Sequence, residues 1–170
     1  MSKFIGVKMV EAVPMTAQTA KSKGYRVSTN HYYTNNNSQD KQFIDYDFNE
    51  GYEVTYEDGY KSWCPAGVFE KSNRPINDMT FGFAIEALKK GFKVARKGWN
   101  GKGMYLWLKP AVTIKSDWCK DPMLKEIVDG NGGEAEALGT ICMKTADNKI
   151  LTGWSGNQID VLSEDWIIVE

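Results

Sequence analysis

The chain has 170 residues and a formal net charge of −1, which allows one domain or two small ones and provides no general attraction to a nucleic acid polymer. It contains neither an apolar run long enough to cross a bilayer nor the pattern of a signal peptide, so we expect no membrane association. The three cysteines, Cys64, Cys119 and Cys142, are widely spaced, which argues against a disulfide framework and favours a reducing, cytoplasmic location.

The N-terminal stretch predicts a strand, a short helix and a loop, in that order. The strand covers Phe4 to Val13, and the helix is expected from Thr16, after Pro14. Residues Thr29 to Asp40 form a polar run of low hydrophobicity, which predicts a loop. The only histidine, His31, lies in this run without an evident partner, so we expect an exposed loop residue rather than a catalytic base.

An alternation of apolar and polar residues predicts a β-hairpin from Gly51 to Tyr60. The Asp58-Gly59 pair within this segment is typical of a tight turn. A short helical stretch that contains Val68 and Phe69 is expected to follow.

A polar stretch with a proline, Ser72 to Asp78, separates this region from the next patterned one. It predicts a boundary between two halves of the chain. The first, residues 1–76, is then an α+β module of unknown role, and the second, residues 77–170, is a separate domain.

The second half begins with a predicted helix from Phe81 to about Lys90. Its apolar residues, among them Ile85 and Leu88, recur at helical spacing and predict a face packed on the core. Gly91 is a natural stop for the helix, because glycine adopts the left-handed conformation found just beyond helix C-termini.

Short strands account for most of the remaining pattern. They are predicted at Lys93–Arg96, Met104–Lys109, Ala137–Thr145, Ile150–Trp154 and Asp165–Val169. The third and fourth form a hairpin around Asp147-Asn148. Residues 115–136 are polar and predict a long loop with one helical turn.

These elements predict an α+β fold with short antiparallel sheets, each accompanied by a small helix, in two halves. Trp107 and Trp166 lie within apolar strands, so both are expected in the core.

Two segments carry the residues that suit a phosphorylated nucleotide. Arg96 to Gly103 offers cations, an indole, an amide and three glycines, and Trp154 to Asp160 adds a second indole with amides and a carboxylate. Cations bind phosphate oxygens, indoles stack on bases, and carboxylates suit ribose hydroxyls. The candidate ligand-binding residues are Arg96, Trp99, Asn100, Trp154, Asn157, Gln158, Asp160 and Asp165.

Each of these residues also has a purely structural interpretation. Trp99 and Trp154 can pack on the core, and Asn100 is a residue commonly found in turns before a glycine. Because side chains alternate along a strand, only one of Arg96 and Lys97 faces a pocket. Asp165 can instead cap the turn before the last strand.

The sequence predicts a binding protein rather than an enzyme. Hydrolysis of a phosphodiester needs a general base, a metal or an activated nucleophile, and the single histidine and scattered cysteines organise none of these. We therefore predict no catalytic residues, no metal site and no cofactor.

A resemblance to a known family covers roughly residues 77–170. The matching motifs are Met79-Thr80-Phe81-Gly82, the run from Val94 to Tyr105, Met143 to Asp147, and Trp154 with Glu164-Asp165-Trp166. In these motifs the chain resembles the phage Thoeris anti-defence proteins of type two. It departs from them at Gly156, where a proline or another small residue is often found, and in its additional first half.

The resemblance implies a sponge: a small homo-oligomer, typically a tetramer, that sequesters cyclic ADP-ribose-type signals in the cytoplasm of an infected bacterium. Some relatives also bind cyclic oligonucleotide signals, and some were described as anti-CRISPR proteins. The first half is similar to uncharacterised phage modules with a Gly-Tyr, Asp-Gly and Ser-Trp pattern, seen here from Gly51 to Trp63.

The leading hypothesis is therefore sequestration of a cyclic nucleotide without cleavage. The alternatives are an inhibitor that binds a bacterial defence protein directly and, ranked lower, an enzyme that cleaves the nucleotide.

Overall fold

The computed structural model describes residues 7–27 and 50–170. The predicted loop at Thr29–Asp40, with His31, and the first three residues of the strand predicted from Phe4 lie outside the described residues. The chain divides into two compact units, Met1–Arg74 and Pro75–Glu170. The predicted assignment of residues 1–76 and 77–170 to separate domains stays a prediction.

In residues 7–27 and 50–74, the described part of the N-terminal unit, there are a three-stranded antiparallel sheet, with strands in the order β1-β2-β3, and two short helices. Its elements are β1 (Glu11–Thr16), α1 (Ala17–Ser22), β2 (Glu50–Thr55), β3 (Lys61–Pro65) and α2 (Ala66–Ser72).

Local chemistry explains most of these bounds. The predicted hairpin is confirmed, with Gly59 at φ +82° and the Tyr60 amide donating to Asp58 Oδ1 over 3.0 Å. The helix predicted from Thr16 is confirmed as α1. Thr16 Oγ1 accepts from the Thr19 amide over 3.2 Å and caps the start of this helix. The first strand, however, begins only at Glu11, so residues 7–10 of the predicted strand lie outside it. It also continues through Pro14, which an edge strand tolerates because its outward side makes no ladder hydrogen bonds.

The core of this unit is built around Trp63, which is 8% exposed and packs with Ala17 and Ala20. Its indole Nε1 donates to the Met15 carbonyl over 2.9 Å, so the polar edge of the ring is satisfied. Gly51 leaves the space for the ring, since a Cβ there would lie 2.5 Å from Cζ2 of Trp63.

The C-terminal unit contains a five-stranded antiparallel sheet in the order β10-β4-β5-β8-β9 and a separate two-stranded sheet, β6-β7. Its elements are α3 (Phe81–Lys89), β4 (Lys93–Arg96), β5 (Tyr105–Lys109), β6 (Val112–Lys115), a 3-10 turn (Ser116–Trp118), α4 (Pro122–Gly130), β7 (Glu134–Ala137), β8 (Thr140–Lys144), β9 (Ile150–Thr152), α5 (Gln158–Val161) and β10 (Trp166–Val169).

The predicted helix, the strands around the glycine-rich turn and the last strand are confirmed. Helix α3 ends at Lys89, and Gly91 follows just beyond it with φ +89°; the β8–β9 hairpin turns through Asn148 at φ +62°. The mixed α+β class with short antiparallel sheets is also confirmed. A single small helix per half was wrong, because the described residues contain two helices in the first unit and three in the second.

The predicted long loop at residues 115–136 was also wrong. Asp121 and Pro122 begin the nine-residue helix α4, where Asp121 Oδ1 accepts from the Leu124 amide over 2.9 Å. An aspartate N-cap followed by proline at the first helical position is a recognised helix start. Val128 on this helix is fully buried, so even a mostly polar segment has an anchor.

Helix α3 covers one face of the five-stranded sheet. Leu88 packs there with sheet residues such as Leu106 and Met143, and Ile85 lies at the edge of the same cluster. Trp166 is fully buried in this core, as predicted. Trp107 is only partly buried, and its pairing with Cys142 places it on the opposite face from Leu106 and Met143.

Candidate functional site

Arg96, on β4, makes two ion pairs with carboxylates from the end of the chain. Its Nη1 lies 2.8 Å from Asp160 Oδ1 and its Nε lies 2.8 Å from Asp165 Oδ1. A second contact, Nη2 to Asp165 Oδ2, spans 3.4 Å and makes that pair bidentate. The Arg96 side chain is 11% exposed, and three of its guanidinium hydrogen bonds go to these two carboxylates.

Asp160 connects several parts of the site. Its Oδ1 also accepts from the indole Nε1 of Trp99 over 3.0 Å, and its carbonyl accepts from Nε1 of Trp166 over 3.0 Å. Burial raises the pKa of Asp160, but the hydrogen bonds from Trp99 and Arg96 outweigh it and the pKa is lowered overall. Asp160 is therefore an ionised anchor for two indoles and a guanidinium.

Asp165 holds the start of the glycine-rich turn. Its Oδ2 accepts from the Gly98 amide over 2.7 Å. A side chain on Gly98 would crowd that oxygen, because a Cβ would lie 2.8 Å from it. The Arg96 hydrogen bond is the main cause that lowers the pKa of Asp165, against the effect of burial.

The indole cluster, defined as Trp99, Trp154 and Trp166 with Phe81, lies beside this network. The Trp99 and Trp166 ring centroids are 5.4 Å apart and nearly perpendicular, and Trp99 and Trp154 are 6.3 Å apart. Phe81 approaches Trp166 to 5.3 Å. Edge-to-face packing of this kind fixes ring orientation, so Trp99 and Trp154, which stay partly exposed, have defined positions.

The remaining predicted residues lie at the exposed rim of this cluster. Asn100, Asn157 and Gln158 are exposed, and Asn157 Oδ1 caps α5 by accepting from the Asp160 amide over 2.9 Å. Lys97 points away from the site, as strand alternation predicts, and pairs with Asp78 over 2.7 Å.

The structure thus brings Arg96, Trp99, Asp160 and Asp165 together, whereas sequence reasoning treated them as separate ligand contacts. The sequence did not predict that Asp160 and Asp165 form ion pairs with Arg96 and so neutralise its charge. An excess of acidic residues in the second segment was the available signal, but their distance along the chain hid the pairing.

Other kinds of site receive no support from the part of the chain that the structure describes. In residues 7–27 and 50–170 there is no group of three or more His, Cys, Asp or Glu side chains placed to hold a metal ion. Over the same ranges no helix combines the length and apolar character that a bilayer crossing requires.

The network's two aspartates predict an acid-sensitive unit. Their folded-state pKa values are lowered, so the stability they provide is present above the unfolded value of about 3.9 and is lost as the pH falls through the folded values. We expect the urea midpoint to fall as the pH is lowered from about 5 to below about 3.9. Asp165→Asn should reduce that slope, and an unchanged slope would contradict the assignment.

Comparison with known proteins places the C-terminal part of the chain in a family. Residues 79–169 match the Tad2-like family, described as the Thoeris anti-defense 2-like domain. A protein named Thoeris anti-defense 2, from Bacillus phage SP01, is 46% identical over 93 residues, which are 54% of this chain and 94% of that protein. The chain belongs to the Tad2-like family of Thoeris anti-defence proteins.

The match contains every residue of the network. Arg96, Trp99, Asp160 and Asp165 all fall between residues 79 and 169, as do the remaining candidate residues of the rim. The first unit lies outside the matched residues.

Proposed function

We propose that this protein sequesters a cyclic ADP-ribose-type immune signalling nucleotide without cleaving it. Family membership supports an anti-defence role in the Thoeris pathway. The observation that carries the nucleotide proposal is a pair of partly exposed indoles, Trp99 and Trp154, held in fixed positions beside a glycine-rich turn. Such surfaces bind bases by stacking, at about 1–3 kcal/mol per base.

The candidate residues divide into two roles. Trp99, Trp154, Asn100, Asn157 and Gln158 contact the ligand from the rim, since all five retain exposed surface. The other three, Arg96, Asp160 and Asp165, position the indoles and the turn through their mutual hydrogen bonds.

A sponge must bind its messenger tightly. A nanomolar dissociation constant corresponds to about −12 kcal/mol, which one or two stacked bases do not supply. Phosphate, sugar and base contacts must combine, and a pocket completed by a second copy of the chain provides them more readily than one subunit.

Exposed apolar side chains on α4 support such an assembly. Met123 is 67%, Leu124 41% and Ile127 58% exposed, an unusual concentration on one short helix. We therefore include homo-oligomerisation, up to a tetramer, in the proposal. The same surface favours the second candidate function, direct inhibition of a bacterial defence protein, and a monomer in sedimentation experiments would shift the balance towards it.

The test is to incubate the full chain with a panel of cyclic ADP-ribose isomers and cyclic oligonucleotides, release the bound material by heat and analyse it by mass. We expect stoichiometric depletion of a cyclic ADP-ribose isomer and its recovery intact. A heat-denatured sample of the chain is the control for loss by other routes. Linearised or dephosphorylated product over many turnovers would instead establish the enzyme.

A further inference from the structure

The face of the five-stranded sheet that α3 does not cover has its own chemistry. Val94, Leu106 and Met143 point into the core, so their neighbours along the same strands point to the other side. We call this side the outer face and define it by Lys93, Tyr105, Trp107 and Lys144. All four side chains are partly exposed.

Two lysines flank one aromatic ring on the outer face. Nζ of Lys93 lies 5.3 Å from the Tyr105 ring centroid and Nζ of Lys144 lies 5.8 Å from it. The Trp107 ring follows at 6.0 Å from Tyr105. The arrangement is a short aromatic surface with an ammonium group supplied by each neighbouring strand.

Within the described part of the chain, these ammonium groups have no carboxylate partner comparable with those that neutralise Arg96. Over residues 7–27 and 50–170, neither Lys93 nor Lys144 forms an ion pair, whereas Lys89, Lys97, Lys125 and Lys149 do. Lys144 donates to the Gly103 carbonyl over 3.0 Å, which leaves two of its three N–H groups for a ligand. Two like charges beside one ring repel, and a bound anion relieves that repulsion.

We propose that the outer face is a second ligand site, which binds a nucleoside diphosphate. Lys93 and Lys144 bind the phosphates, and the base stacks on Tyr105, with the Trp107 ring adjoining it. The two ammonium groups favour a ligand with phosphates, and the aromatic rings favour a nucleotide, which carries a flat base, over inorganic phosphate. This site is separate from the indole cluster, which faces α3 on the other side of the sheet.

Calorimetric titration of the full chain with ADP tests the proposal, with adenosine and inorganic pyrophosphate as partial probes. We expect ADP to bind more tightly than either, with an affinity that falls as salt is raised. Lys93→Gln should weaken ADP binding at least tenfold, because it removes a charge-assisted contact. Lys89→Gln, which removes the same charge from α3, is the matched control and should leave it unchanged.

Tyr105→Leu keeps both lysines and should weaken ADP while leaving pyrophosphate unaffected. This variant also provides an independent test if a lysine variant does not fold, and circular dichroism monitors folding in each case. The proposal is overturned if ADP does not bind, if adenosine and ADP bind equally, or if Lys89→Gln weakens ADP as much as Lys93→Gln. Binding of a cyclic ADP-ribose isomer by Lys93→Gln at wild-type affinity is expected, since the indole cluster is intact.

Discussion

Replacing Asp160 with alanine is expected to lower the free energy of unfolding of the C-terminal unit by about 3 kcal/mol, the lower end of the range for removing one partner of a buried ion pair. The Asp160 side chain is 10% exposed, and its carboxylate accepts from both Arg96 and Trp99. Its loss leaves an indole N–H without a partner. The guanidinium retains Asp165, which is why the lower end applies.

Urea denaturation of the variant at neutral pH measures the effect, and Asp78→Ala is the matched control. Asp78 makes a pair of similar length with Lys97, 2.7 Å against 2.8 Å, but its side chain is 54% exposed, and surface pairs contribute about 0–1 kcal/mol. Asp160→Asn should lie between the two, because it keeps an acceptor and loses the charge. Equal losses in Asp160→Ala and Asp78→Ala would show that the network does not stabilise the unit.

Replacing Trp99 or Trp154 with alanine is expected to weaken binding of the messenger at least tenfold, which corresponds to the loss of about 1.4 kcal/mol from one stack. Because both tryptophans lie beside turns rather than within apolar strands, the sequence alone predicts only a modest loss of stability in these variants. The ring contacts with Trp166 predict a larger one, since removing either indole leaves a gap against the core.

Trp99→Phe separates the two effects. It keeps an aromatic ring but removes the Nε1 donor to Asp160, so stability should fall less than in Trp99→Ala while stacking is partly retained. Tyr60→Ala, an exposed aromatic residue in the N-terminal unit, is the control and should change neither property. Folded alanine variants of both tryptophans with unchanged affinity would place the ligand elsewhere.

The fold could be predicted where local chemistry decides the conformation. The Asp58-Gly59 turn, the stop at Gly91 and the alternating strands each depend on residues a few positions apart. The sequence did not predict helix α4, because its polar composition is typical of a loop, although Asp121-Pro122 is a recognisable helix start. The prediction that the first strand ends before Pro14 was wrong, because an edge strand tolerates proline and only the sheet order shows that this strand lies at an edge.

The candidate site could be predicted as a set of residues but not as a network. Arg96 and Asp160 are 64 residues apart, and a pattern search over short windows has no means to pair them. The same limit hid the outer face, since Lys93, Tyr105 and Lys144 meet only when β4, β5 and β8 are neighbours. The prediction that Trp107 lies in the core was wrong for the same reason, because the face on which a strand residue lies depends on how the strands pair.

Messenger binding by the C-terminal unit alone tests the central claim most directly. A fragment of residues 75–170 retains Ile76, whose carbonyl accepts from the Ile168 amide over 3.0 Å and would be lost from a fragment that begins at 77. We predict that this fragment folds, assembles and removes a cyclic ADP-ribose isomer from solution with the stoichiometry of the full chain. A folded fragment that leaves the messenger free, while the full chain removes it, would contradict the account.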